Sequence, residues 1–167
     1  VRSDWCRFVL IKSTVFAIPN TVFQAAGLGV ETFSPQEWYG IISHHVVSGG
    51  DAYVATDRQD SVLYAEYLTA GLFATTGYSV SSMLLARNET GEVIKDANGG
   101  DVHAQLHIQY IQGGGAYSGV LIDSDGHAGL GYTAADDGFF NAEVLYPDFQ
   151  LNTNGVVHLI AGVLTPS

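Results

Sequence analysis

Residues 152–164, NTNGVVHLIAGVL, read as a tight turn feeding one buried strand. Thr153, Asn154 and Gly155 supply the turn, because Asn and Gly tolerate the left-handed backbone that tight turns need. Val156, Val157, His158, Leu159 and Ile160 follow as a β-branched and apolar run, too continuous for a half-exposed strand. One histidine inside such a run reads as a hydrogen-bonded core residue rather than as a ligand or a base, since buried polar groups persist when they are paired.

A second run of the same kind occupies residues 8–18 (FVLIKSTVFAI). Pro19 and Asn20 stop it and open a short helix, TVFQAA, which Gly27 and Gly29 end. Ser34-Pro35-Gln36-Glu37 is a strong helix start: Ser34 caps, Pro35 suits the first turn and Glu37 completes a capping box. Trp38, Ile41, Ile42 and His45 then fall at helical spacing on one face.

Residues 51–78, which open an insertion-rich middle of roughly 51–140, read as short strands and polar turns. Tyr53, Tyr64 and Tyr67 are spread among small residues, and residues 80–86 form a strand candidate. Residues 88–100 (NETGEVIKDANGG) form a polar hairpin with turns at Thr90-Gly91 and Asn98-Gly99-Gly100. Residues 101–110 alternate, with Asp101, His103, Gln105, His107 and Gln109 on one face and apolar residues, Tyr110 among them, on the other. Gly113-Gly114-Gly115 and a small-residue, acidic segment follow, and no internal repeat is evident.

At 167 residues with 47% hydrophobic content, the chain suits a single domain, 1–167, with a sizeable core. Seventeen acidic against six basic residues give a net charge of −11, which repels the phosphate backbone of nucleic acid and anionic membrane surfaces. No apolar run approaches the ~18 residues of a spanning helix. The single cysteine, Cys6, excludes an internal disulfide framework and a cysteine-built zinc site. Asn88-Glu89-Thr90 is an N-glycosylation sequon, with meaning in a secreted protein. The start at Val1 suggests a processed product.

The chemistry-bearing constellations have plain readings. His103 and His107 are four apart, a spacing that shares a metal on a helix. On a strand, at ~3.3 Å per residue, their Cα atoms stand roughly 13 Å apart, too far for one ion. A polar sheet face lining a groove or interface is the expectation there. Asp123-Ser124-Asp125-Gly126-His127 resembles part of a calcium loop but lacks the later ligands, and Asp136-Asp137 reads as an acidic turn. No nucleophile elbow or phosphate-binding loop is present, so no catalytic residue and no metal ligand is assigned. Tyrosines and small residues beside the histidine-bearing strand could instead shape a pocket, with His103, His107 and Tyr110 as candidate lining. Lys12 and Lys95, the only lysines, are the side-chain amines that would hold a carbonyl ligand covalently.

Three groups of residues resemble the fasciclin domain family. Residues 153–160 (TNGVVHLI), with Val163, Leu164 and Pro166 behind them, fill the family's C-terminal box, and Asn141, Ala142, Val144 and Asp148 resemble its lead-in strand. Thr14, Val15, Phe16, Ala17, Pro19, Asn20 and Phe23 resemble the first box, with Ile18 where the family usually has Pro. Ile42, His45, Val46, Val47 and Gly49 resemble the central motif, with His44 in place of its Tyr. The likeness covers residues 14–49 and 141–166, and the interval between the motifs is longer than the family usually has. The resemblance implies an α+β fold, a seven-stranded β-wedge or sandwich flanked by short helices, here with an enlarged middle. It marks Thr14, Phe16, Asn20, His45, Asn154, Gly155 and His158 as motif residues. It also implies a non-enzymatic, secreted or cell-surface module contacting a protein or glycan surface, without a cofactor. The alternative expectation is a carrier of a small organic ligand or pigment, in a pocket or homodimer interface formed by the middle. A hydrolase or metal enzyme is the third.

Overall fold

In the computed structural model, the described residues are 12–48, 62, 63, 65, 68, 77–111, 119–123, 142–152 and 154–165. The β-branched run of the first box forms β1 (Ser13–Ala17). The turn at Asn154 feeds β7 (Gly155–Ile160), as the opening stretch of sequence requires. Between them lie β2 (Val46–Ser48), β3 (Tyr78–Leu85), β4 (His103–Ile111), β5 (Gly119–Asp123) and β6 (Ala142–Asn152). Each strand pairs antiparallel with the next in sequence. β1 also pairs parallel with β7, Ser13 opposite Gly155 through Ala17 opposite Leu159, and this closes the sheet into a barrel.

That closure corrects the expected α+β wedge or sandwich. β1 has β2 on one side and β7 on the other, so the sheet has no open edge and a single curved layer encloses the core. Residues 51–140 contribute three of the seven strands, β3, β4 and β5. The two helices among the described residues are short: α1 (Asn20–Ala25) and α2 (Pro35–His44), separated by a 3-10 turn at Val30–Thr32. α2 starts as the sequence dictates, with the Ser34 hydroxyl accepting from the Glu37 N–H and the Glu37 carboxylate accepting from the Ser34 N–H. Phe23 stacks on Trp38 beside it, Phe33 meets the same ring edge-on, and the Trp38 indole N–H donates to the Val30 carbonyl.

Inward-facing side chains fill the barrel. Phe16, Val47, Val80, Leu106, Ile108, Ile122, Val144 and Ile160 form one buried cluster with Leu63, Leu68 and Leu164, and Tyr78 and Tyr110 pack against it half-buried. Its interior is packed, as in other small barrels. The helical stripe differs from expectation in one place: Ile41, His44 and His45 are buried, whereas Ile42 is exposed. Cys6, Tyr53, Tyr64, Tyr67, Gly113-Gly114-Gly115, residues 124–127, Asp136-Asp137, Asn141, Thr153 and Pro166 lie outside the described residues.

Candidate functional site

The quoted motif residues are mostly structural. His158 is fully buried on β7 and stacks on Phe16, ring centroids 5.6 Å apart. The Asp148 backbone N–H donates to its Nδ1 at 2.9 Å, so that nitrogen carries no proton, and its Nε2–H donates to the Leu63 carbonyl at 2.5 Å. Thr14, opposite Val156 on β1, accepts the Leu63 N–H on its Oγ1 at 2.8 Å. The Asp148 carboxylate accepts the Ala65 N–H at 2.9 Å. Three side chains from three strands therefore hold the backbone of Leu63 and Ala65. Burial pushes the His158 pKa down, and the Leu63 carbonyl and the Asp148 charge only partly oppose this. The neutral tautomer is the one the hydrogen bonds demand.

His45 does similar work at the C-terminal end of α2. Its Nδ1–H donates to the Ile41 carbonyl at 2.7 Å and its Nε2 accepts the Leu164 N–H at 3.1 Å, tying residues beyond β7 to the helix. Burial lowers its pKa, against the Ile41 bond. His44 directs Nδ1 to the Ser82 hydroxyl at 3.0 Å, and that hydroxyl spends its own proton on the Ala104 carbonyl, which makes Nδ1 the donor. Gly155 permits the closing pair: a Cβ there would stand 2.3 Å from the Ser13 carbonyl oxygen. Asn154 accepts the Ser13 N–H on its carbonyl, and Asn20 is the exposed first residue of α1.

The residues suggested as a ligand pocket have different surroundings among the described residues. His103 directs Nδ1 to the Ser82 carbonyl, while His107 is buried with Nδ1 3.4 Å from the Ser79 hydroxyl. His107 leaves the expected half-exposed face because the chain at Gly77 passes over it. A Cβ at Gly77, where φ is +82°, would meet its Nε2 at 2.2 Å. Desolvation pushes the His107 pKa down. Tyr110 packs on the core, Lys12 is exposed beside β1, and Lys95 pairs with Asp101 on the hairpin. Among the described residues, no three His, Cys, Asp or Glu side chains converge as a metal site. Asn88 sits on the exposed hairpin turn, its Oδ1 accepting from the Thr90 N–H, the Thr90 hydroxyl and the Glu92 N–H.

What the surface offers instead lies on β6. Ala142 and Val144 face the core, and then the register slips twice, between Val144 and Tyr146 and between Tyr146 and Gln150. Asp148, with φ of 50°, is the one non-glycine residue with positive φ among those described. Its backbone N–H is turned inward to His158. The irregularity leaves Leu145 39%, Tyr146 62%, Phe149 60% and Leu151 62% exposed within seven consecutive residues. Leaving such side chains in water forfeits about 1.5–3 kcal/mol of burial apiece at full exposure. Clusters of exposed apolar side chains mark interaction surfaces, whereas scattered ones do not. Sequence reasoning noted Asp148 but missed its neighbours. The signal was the run LYPDFQL, in which large apolar residues flank a proline and an acid instead of alternating with polar ones.

Two hollows are lined by described residues. One of 190 Å³ lies between α2 and β1, lined by Phe16, Ile18, Trp38, Ile42 and their neighbours. The other, 650 Å³, lies between the outer side of α2 (Pro35, Gln36, Tyr39, Gly40) and β3 with its continuation (Met83, Leu84, Leu85, Arg87). No helix among the described residues is long and apolar enough to cross a membrane. Among the described residues, the protein is thus a closed, mixed seven-stranded barrel with a histidine-tied core and a run of exposed apolar side chains on β6. No protein-family model matches the chain, and no curated protein matches it.

Proposed function

We propose that this protein is a non-enzymatic binding module that docks a protein surface through the exposed face of β6. The observation that carries this is the cluster Leu145, Tyr146, Phe149 and Leu151, large apolar side chains held in water by a strand whose backbone is pinned through Asp148 and His158. Tyr and Phe are residue types enriched at the centres of interfaces. The partner chemistry follows from charge. At low ionic strength a second copy of this chain, also at −11, is repelled, whereas a partner with an apolar ridge and a cationic rim is steered towards it; at physiological salt the groups in contact decide. The fasciclin resemblance of residues 14–49 and 141–166 supports a secreted or cell-surface setting and a contact role. Its contribution is limited to those motifs, since the barrel is not that family's wedge.

The test uses an amphipathic peptide of alternating Leu and Lys repeats, with a Leu and Glu peptide of the same pattern as control, titrated calorimetrically. Micromolar binding of the cationic peptide, lost in the double variant Tyr146→Ser/Phe149→Ser and absent for the acidic peptide, supports the reading. Equal binding by the double variant shows attraction by net charge alone and refutes docking on β6, as does the absence of binding.

A further inference from the structure

The 650 Å³ hollow between α2 and β3 falls within the ~300–1,000 Å³ that small-molecule sites occupy. Its walls are of two kinds. Met83, Leu84 and Leu85 on β3, half-buried, line one side, and Gly40 leaves the helix wall opposite without a side chain at that position. Tyr39 adds an aromatic ring at the rim, and Arg87 supplies a cation at one end. Arg87 is held in place because its Nη1 donates to the Gly91 carbonyl of the hairpin at 2.6 Å. A guanidinium has five N–H donors, and among the described residues this is the one bond Arg87 makes. It enters no ion pair there, whereas Lys95 is already matched with Asp101.

From this geometry we infer that the α2–β3 hollow is a binding site for a small amphiphilic monoanion: an apolar body on Met83, Leu84 and Leu85, and a carboxylate on Arg87. Planar bidentate pairing makes arginine the fitting partner for such a group. The chain's overall negative charge does not forbid it. Exposed charges beyond a Debye length of about 8 Å are screened at physiological salt, so the guanidinium in contact decides. None of His103, His107, Tyr110, Lys12 or Lys95 lines this hollow, so it is distinct from the pocket expected from sequence. It is also separate from the β6 face, and either reading can fail without the other.

The probe is dansylaminoundecanoic acid, compared with its neutral methyl ester by fluorescence at physiological salt. The acid is expected to bind saturably at one site per chain and the ester about tenfold more weakly. Arg87→Gln, at an exposed position, should weaken the acid roughly tenfold and leave the ester unchanged, the loss expected for one charge-assisted contact. Gly40→Leu, which fills the hollow, should abolish both. Tyr146→Ser/Phe149→Ser should change neither. Equal affinity for acid and ester, insensitivity to Arg87→Gln, loss in the β6 variant or no saturable binding would each overturn the inference. Arg87→Gln alone decides the matter if Gly40→Leu does not fold.

Discussion

Replacing His158 by Leu keeps a side chain of similar bulk against Phe16 but strands two backbone groups. The Leu63 carbonyl loses the Nε2–H donor at 2.5 Å, and the Asp148 N–H loses its acceptor at 2.9 Å. Both lie around a side chain with no exposure, so water does not replace the lost partner. An unsatisfied buried group costs about 1–3 kcal/mol, giving roughly 2–6 kcal/mol for the pair. In a domain of this length each kcal/mol lowers Tm by about 2–4 °C, so the expected fall is roughly 4–24 °C. His158→Gln, whose amide can still donate towards Leu63, should recover about half of the loss. Urea unfolding followed by circular dichroism gives the free energies. A loss below about 1 kcal/mol for Leu, or a Gln variant no better than Leu, would refute this role of the His158 bonds.

Three further outcomes follow from the same contacts. Acidification should destabilise the fold: His45, His107 and His158 all have pKa values held below 6.5 by burial, so below that pH the unfolded chain takes up protons that the folded chain refuses. Stability should be full above pH 6.5 and fall on acidification by up to about 1.4 kcal/mol per pH unit for each histidine, visible in urea midpoints between pH 7.5 and 5. A flat or rising profile would contradict this. Gly155→Ala sets a Cβ against the Ser13 carbonyl, which the rigid β1–β7 ladder yields to only by shifting, at about 1–3 kcal/mol. Faster hydrogen exchange along Ser13–Ala17 is the readout, and unchanged exchange would refute the close approach. Ser34→Ala removes the acceptor for the Glu37 N–H and should cost about 1 kcal/mol in thermal unfolding, with no change at β6.

Elements with strong local chemistry were legible in the sequence. The Asn154-Gly155 turn before β7, the Ser34–Glu37 capping box and the alternation in β4 each carry their signal within a few residues. The closure of the sheet is different. β1 and β7 are separated by most of the chain, and their parallel register leaves no trace in either strand alone; the wedge was what the fasciclin resemblance implied, and the β1–β7 pairing makes a barrel instead. The role of His158 as a bonded core residue was readable from its apolar run, but its partners at Leu63 and Asp148 were not. His107 has the opposite history. Alternation placed it on the polar face, and only the approach of Gly77 takes it out of water. On β6 two register slips cancel the period-two rule, so alternation could not say that Leu145, Tyr146, Phe149 and Leu151 all remain exposed.

The most direct measurement is hydrogen exchange of the protein with and without the cationic Leu and Lys peptide, read residue by residue. Protection confined to residues 145–151 and the β7 backbone beside them, with the α2–β3 hollow unchanged, is the expected result. Protection spread over the acidic surface, or centred on α2 or the hairpin at residues 88–100, would show that β6 is not the docking face.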